Sequence, residues 1–251
     1  MSSIREAPGS RGPDRVAYIA CARAPRTAPV QAIEVSSRYA LMWSGGKDSA
    51  LALQRANRAG MQIARLINIH DAATRRVRFH ATRVEMIQAQ AQAAGIELRE
   101  IACSWPDLEA RLVAEFAALR SEGFAGVVFG DIHLADVRAW FETRVRAAGL
   151  EHIEPIWGEE PLHLVSEFVH AGGRAVITCV DSSRLDSSWL GRIIDELFID
   201  EIASTQADPC GENGEFHSFA FQGPVFAHQV RWKLGETRSE AGFSQLDLLP
   251  A

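Results

Sequence analysis

The sequence predicts an α/β protein with a doubly wound, mainly parallel five-stranded sheet and a smaller C-terminal α+β region. Between residues 39 and 149, short apolar segments alternate with segments of helical period, and several of the helical segments end at a glycine. Residues 219–238 contain the aromatic and β-branched residues that are typical of antiparallel strands. Strands that alternate with helices imply right-handed crossovers, and therefore parallel strands with helices on both faces.

Four strands of the main sheet can be located in the sequence. They are short and apolar, or alternate apolar and polar residues as half-buried strands do. The predicted strands are 39–43, 62–69, 96–103 and 126–130. The predicted helices are 48–59, 80–94, 106–119 and 134–147, with a loop at 71–79.

The pattern changes after residue 155, where we place a domain boundary. We expect a disordered tail over residues 1–37, an ATP-binding domain over 38–155 and a substrate-binding domain over 156–251. The last domain should contain helices at 162–170 and 190–198, a strand at 174–180, an acidic glycine-rich loop at 208–219 and antiparallel strands over 219–238.

Composition limits the function. The net charge of −6 disfavours a general affinity for nucleic acid, which needs a basic surface. The four cysteines are widely spread, so we expect a cytoplasmic protein without disulfides. No apolar stretch reaches about 18 residues, so we expect no membrane span. Only two of the 26 basic residues are lysines, and one of them, Lys47, lies in the most informative motif.

That motif is a strand that ends at two glycines and continues directly into a helix. Gly45 and Gly46 can let the backbone approach an anion, while N–H groups and the positive end of the helix converge on it. Lys47 adds positive charge, and Asp48 can cap the helix or hold Mg²⁺. We therefore expect the phosphates of a nucleotide to be bound by Ser44, Gly45, Gly46, Lys47, Asp48 and Ser49. The usual P-loop would need a glycine at position 41 and a hydroxyl at position 48, where this chain has leucine and aspartate.

Residues 44–49 resemble the SGGxDS signature of the PP-loop ATP pyrophosphatases. This resemblance implies that ATP is split between its α and β phosphates. AMP is joined to a carbonyl or carboxyl oxygen, and a nitrogen or sulfur nucleophile then displaces it. "GDIHLADVR" at 130–138, "PIWG" at 155–158 and "CGENGEFHSF" at 210–219 narrow the resemblance to the diphthine–ammonia ligase family over about residues 39–229.

The family resemblance implies an adenine nucleotide alpha hydrolase-like fold of the HUP type. It also implies use of ATP, Mg²⁺ and ammonium to amidate the diphthine side chain of elongation factor 2. The Arg-rich, Lys-poor composition suggests a bacterial branch, and bacteria are not expected to make diphthamide. We therefore predict the reaction type and leave the carboxylate acceptor open, as a small molecule or a protein. A homodimer is also left open.

The acidic loop supplies further candidates. Gly211 and Gly214 allow a tight turn that would present Glu212 and Glu215 together, to bind ammonium, hold magnesium or act as a base. His217 follows as a candidate proton carrier. The alternative is an acidic hairpin at the surface.

Other candidates follow the predicted strands. Gly130 and Asp131 would contact the ribose, the α-phosphate or the acceptor, unless Asp131 only caps a helix. His70 would lie near the adenine, although a structural role is as consistent with its position. Cys210 is either a nucleophile or, as we favour, a buried residue. The predicted catalytic residues are Lys47, Asp48, Asp131, Glu212 and Glu215.

Two other functions remain open. A PP-loop enzyme could act on another small molecule or on tRNA, although a tRNA enzyme of this kind would usually have a basic surface or paired cysteines. A regulatory module could bind ATP through the same loop without turning it over.

Overall fold

Two β-sheets with their helices make up the part of the chain that the computed structural model describes, namely residues 37–78, 80–240 and 242–251. The predicted tail lies outside this part, apart from Ser37. None of the helices described is long and apolar enough to cross a membrane.

The first sheet has five parallel strands in the order β3-β2-β1-β4-β5. Its elements are β1 (Arg38–Met42), α1 (Lys47–Arg58), β2 (Gln62–Asp71), α2 (Val84–Ala94), β3 (Glu97–Cys103), α3 (Leu108–Ser121), β4 (Phe124–Val128), α4 (Ala135–Ala147) and β5 (Glu151–Ile153). The predicted α/β class and the five parallel strands are confirmed. The order reverses between β1 and β4, which opens a crevice beyond their carboxyl ends.

Helices cover both faces of this sheet. Leu112, Phe116 and Leu119 of α3 recur at helical spacing and are fully buried, together with Val145 of α4. The helices α1 and α2 belong to a second core that also includes residues of the C-terminal sheet. The first sheet is therefore enclosed, which explains why β1 and β4 are almost continuously apolar.

The second sheet is antiparallel, with strand order β7-β6-β10-β9 and with β8 paired to β6. Its region contains α5 (Pro161–His170), β6 (Arg174–Asp181), a 3₁₀ helix (Ser187–Trp189), β7 (Ile193–Ile194), α6 (Glu196–Ala203), β8 (Phe216–Gln222), β9 (Trp232–Glu240) and β10 (Phe243–Pro250). The predicted C-terminal α+β region is thus confirmed. The boundary near Pro155 stays a prediction.

The helix predicted over 80–94 begins later than expected, at Val84. Ala81 has a φ of 56°, a left-handed conformation that a right-handed helix cannot contain. Residues 80–83 instead extend the loop that follows β2.

The prediction of a helix over 190–198 was wrong for residues 190–195, and only residues 196–198 are helical. Gly191 has a φ of 82° and interrupts the segment, and the short strand β7 follows. The helix α6 starts only after Asp195, whose carboxylate caps it by accepting a hydrogen bond from Phe198 N at 3.1 Å.

Asp247 of β10 ties the second sheet to the loop after β2. Its buried carboxylate accepts hydrogen bonds from Arg83 Nη2 (2.6 Å) and Arg76 Nη1 (2.8 Å). Burial raises the pKa of Asp247, but the hydrogen bonds from Arg83 and Arg76 lower it by more, to about 2.

Replacing Asp247 by Ala should lower the free energy of unfolding by about 2–3 kcal/mol near neutral pH, because two partly buried guanidinium groups lose their carboxylate. The pKa of Asp247 is lower in the folded state than its ordinary 3.8. Its contribution is therefore present above that value and is lost as the pH falls toward 2. Denaturant unfolding at about pH 7 and about pH 3 measures both effects. An exposed control, Glu240→Ala, should change stability little, and an equal loss in the two variants would contradict the assignment.

Candidate active site

A cavity of about 840 Å³ opens at the carboxyl ends of the first sheet, where the strand order reverses. Its walls come from the loop after β1, the ends of β2 and β4, the start of α4 and the segment that leads into β8. Its size is in the range of ligand and cofactor sites, and its position is the one at which open α/β sheets bind ligands.

The loop between β1 and α1 has the form expected of an anion site. Gly45 has a φ of 84°, and a Cβ atom there would lie 2.5 Å from Ile87 Cδ1, so only glycine fits. Gly46 is the N-cap of α1 and supplies no capping side chain. Lys47 N donates to the Ser218 hydroxyl at 3.3 Å, so the N–H groups of Asp48 and Ser49 are the ones available to an anion at the positive end of the helix.

Gln90, fully buried on α2, holds this loop in place. Its Nε2 donates to Gly45 O (2.8 Å) and Ala220 O (2.6 Å), and its Oε1 accepts from Trp43 Nε1 (2.9 Å). The backbone N–H of Ala220 in β8 also donates to Gly45 O at 2.8 Å. Both sheets thus fix the loop. The sequence did not point to Gln90, because it is one of three glutamines in α2 and nothing local separates it from Gln88 and Gln92.

Lys47 is only 2% exposed. Its Nζ donates to Asp48 Oδ2 at 3.0 Å and to the Cys210 carbonyl, and lies 5.1 Å from the centre of the Phe216 ring. Burial lowers the pKa of Lys47, and the Asp48 carboxylate and other neighbours raise it by more. The ammonium therefore stays charged inside the cavity.

Three carboxylates interact with one another beside Lys47. Burial, with a contribution from the charge of Asp48, raises the pKa of Asp131 to about 6 and that of Glu212 to about 7. Burial also raises the pKa of Asp48. Glu212 Oε1 accepts a hydrogen bond from Ile132 N at 2.9 Å, which fixes the side chain. A buried carboxyl that titrates near neutrality is suited to proton transfer.

Gly130 and Asp131 follow β4, next to the first turn of α1. A Cβ atom on Gly130 would lie 3.0 Å from Ser49 N and 3.1 Å from Asp48 O, so β4 can approach the loop this closely only with glycine. Both residues line the cavity, as do Ser44 and Ser49.

Two imidazoles line the cavity on the side of β8. The rings of His80 and His217 lie 4.5 Å apart, and Ser218, beside His217, accepts a hydrogen bond from Lys47 N at 3.3 Å. His217 was a predicted candidate. His80 was missed because it was assigned to a helix.

The outer part of the cavity is aromatic. Trp105 is 56% exposed, and the Arg78 guanidinium lies 3.8 Å from the centre of its ring. Trp140 and Phe141 of α4 also line this part. Such surfaces can stack against a planar base. The sequence did not identify these aromatic residues as part of the site, since a tryptophan is equally consistent with a position in the core.

Glu215 does not line the cavity. Its carboxylate is instead held by hydrogen bonds from other residues. Its buried Oε1 accepts from Arg184 Nη1, Asp208 N and Asn213 Nδ2, each at 3.3 Å. The expected joint presentation of Glu212 and Glu215 is therefore wrong, because Glu215 stays inside its loop.

His70 is buried and is not among the residues that line the cavity. Burial lowers its pKa. Cys210 is also buried, its Sγ donates to Pro161 O at 3.3 Å, and burial raises the pKa of its thiol. This supports the buried alternative for Cys210.

No group of three or more His, Cys, Asp or Glu side chains is placed to hold a metal ion within the described ranges. Mg²⁺ usually needs only one or two carboxylates, together with phosphates and water. Asp48 and Asp131, whose charges act on each other across the cavity, fit such a site.

Two family models match the sequence. The diphthamide synthase N-terminal domain model matches residues 37–152, and the diphthamide synthase C-terminal domain model matches residues 160–246. Together they cover most of the chain and both sides of the cavity. Among curated proteins, no match was found.

Replacing Glu212 by Gln should stabilise the ligand-free protein above neutral pH. The pKa of Glu212 is raised from 4.5 to about 7 by folding, so stability falls as the pH rises between these values. The variant avoids this loss and should gain up to about 3 kcal/mol near pH 8, since one pKa unit corresponds to about 1.4 kcal/mol. Denaturant unfolding across this pH range measures the effect.

Glu159→Gln is a control that should change the stability of the protein in the opposite direction. A hydrogen bond from Arg55 lowers the pKa of Glu159, so its ionised form stabilises the fold and its loss should destabilise the protein at the same pH. A stability profile of Glu212→Gln parallel to that of the unmodified protein would refute the buried-carboxyl assignment.

Proposed function

We propose that this chain, which belongs to the diphthamide synthase family, is an AMP-forming amide ligase. The family consists of PP-loop ATP-utilising enzymes of the diphthine–ammonia ligase type. It would adenylate a carboxylate on an acceptor, release pyrophosphate and form an amide with ammonium. The observation that carries this proposal is a charged, buried lysine between a helix start with a glycine at its N-cap and carboxylates that titrate near neutrality.

The phosphates of ATP would lie on the loop of residues 44–49. The first N–H groups of α1 and the Lys47 ammonium supply fixed positive potential, and the hydroxyls of Ser44 and Ser49 supply further donors. The aromatic residues Trp105 and Trp140 offer stacking surfaces for the base.

In the first step, an oxygen of the acceptor carboxylate would attack the α-phosphorus. The bond from this phosphorus to the bridging oxygen breaks, and pyrophosphate leaves with the electron pair. Lys47 is already desolvated and fixed by Asp48 and Cys210, so it can stabilise the developing charge with little reorganisation.

Asp48 and Asp131 would hold Mg²⁺, the ion that the family implies. When bound, this ion would neutralise phosphate charge. The mutual electrostatic repulsion of these two carboxylates is consistent with a need for a cation.

In the second step, Glu212 would act as general base on ammonium. One carboxylate oxygen is held by Ile132 N–H, and the other can accept the proton. The freed ammonia attacks the acyl carbon, AMP leaves with the electron pair of the broken carbon–oxygen bond, and the amide nitrogen releases one further proton to solvent. A pKa of about 7 lets Glu212 alternate between both protonation states near neutral pH.

Glu215 would position the acidic loop. Its hydrogen bonds to Asp208 N and Asn213 orient the segment whose Cys210 carbonyl meets Lys47. The direct catalytic role predicted for Glu215, the adenine contact predicted for His70 and the homodimer stay predictions. The acceptor is proposed only as a carboxylate on a small molecule or a protein.

ATP labelled at the α-phosphate, with magnesium, ammonium and a cell extract as the source of acceptor, tests the proposal. We expect labelled AMP only when extract is present, and none with Lys47→Ala. With Glu212→Gln, amide formation should fall by about 10²–10⁴-fold, the usual contribution of a general base, while adenylation persists.

The matched control is Glu236→Gln, an 82%-exposed glutamate on β9 that should retain full activity. Labelled ADP in place of AMP would show cleavage at a different phosphate and would refute the proposal. If ATP binds and neither product forms with any extract, a regulatory nucleotide-binding role replaces it.

A further inference from the structure

The imidazoles of His80 and His217 form a pair that the proposed steps do not use. Their ring centres are 4.5 Å apart with an interplanar angle of 38°. His80 Nδ1 lies 3.3 Å from Ser218 O. A carbonyl oxygen only accepts, so Nδ1 carries the proton and Nε2 of neutral His80 has a free lone pair.

This pair lies next to the phosphate loop. A Cβ atom on Gly46 would lie 3.1 Å from His80 Cε1, and Ser218 accepts from Lys47 N. On the β6 side, the Thr178 hydroxyl donates to the carbonyl of His80 at 3.1 Å, which fixes that residue's backbone.

The electrostatic surroundings of the pair differ from those of the carboxylates. Burial lowers the pKa of His80 to about 4 and that of His217 well below its usual value. Besides burial, the charge of Lys47 lowers the pKa of both rings, and the ring of His80 lowers that of His217. Asp131 and Glu212 act on other carboxylates, and Glu212 also acts on Lys47.

The cavity is therefore divided at Lys47. Without a bound Mg²⁺, the three carboxylates on one side would repel a phosphate, whereas the neutral imidazoles, a serine and the start of α1 on the other side would not. In the absence of that ion, a polyphosphate on this loop therefore has lower energy with its more highly charged end against the imidazoles. A bound polyanion also favours the protonated form of each imidazole.

We propose that His80 and His217 form the subsite for the two phosphates that leave as pyrophosphate, and that the pair takes up one proton from solvent when they bind. This deepens the proposed function and rests on it for the identity of the leaving group. The proton is added to an imidazole nitrogen to give imidazolium, which donates to a phosphate oxygen. The α-phosphate then lies on the side of Asp131 and Glu212.

Binding of inorganic pyrophosphate and of AMP, each measured by calorimetry, tests the subsite. His80→Asn and His217→Asn should each weaken pyrophosphate binding about tenfold, the loss of one charge-assisted hydrogen bond, and leave AMP binding within about twofold. The control His163→Asn, on a side chain 67% exposed, should change neither. Equal weakening of both ligands would overturn the proposal.

The proton is measured by repeating the pyrophosphate titration in buffers with different heats of ionisation. We expect proton uptake that is lost in both histidine variants and retained in Glu212→Gln. Uptake that is lost only in Glu212→Gln would assign the proton to the carboxylates and overturn the proposal.

A second measurement needs no variant that might fail to fold. Nitrogen chemical shifts of histidines in the unmodified protein should change from neutral imidazole to imidazolium for one ring of the pair when pyrophosphate is added. Rings that stay neutral would overturn the proposal. If these measurements confirm the pyrophosphate subsite but no AMP forms from ATP, the proposed ligase activity is refuted and the subsite is retained.

Discussion

The buried ammonium of Lys47 is the interaction on which the rest of the site depends. A cation inside a protein is tolerated only if fixed partners replace its water. Asp48 and the Cys210 carbonyl do so here, and Phe216 adds the face of its ring. Burial keeps the nearby imidazoles neutral, and the charge of Lys47 adds to this effect. An anionic ligand would therefore enter a cavity whose positive charge is already in position.

This arrangement requires both sheets. The carbonyl of Gly45 is bound by Gln90 from the first sheet's helix layer and by Ala220 from β8, so the loop cannot relax independently of the second sheet. The acidic loop that supplies Cys210 and Glu212 is held by Glu215 and by a contact of 2.7 Å between Asp208 and His133 after β4. The cavity therefore forms where two regions pack together that lie about 170 residues apart in the sequence.

What could be predicted from the sequence was local. The run of residues 44–49 encodes its own geometry, because glycine conformations and helix starts depend on neighbours in sequence. The alternation of strands and helices likewise predicted the parallel sheet. Gln90 and His80 could not be found in this way, because their importance comes from partners at Ala220 and Ser218. The two glutamates of the acidic loop look equivalent in sequence, and only the donors around Glu215 separate them.

The raised pKa values also bear on how an acceptor carboxylate can approach. Three ionised carboxylates around the α-phosphate would repel a fourth, and screening by solvent is weak inside a cavity. Burial keeps Asp131 and Glu212 protonated for part of the time near neutral pH, since their pKa values are about 6 and about 7. In the proposed reaction, a protonated Glu212 would lower that repulsion when the acceptor arrives, and its ionised form would be needed only later, when ammonium must lose a proton. One side chain could serve both stages near neutral pH because its pKa is about 7.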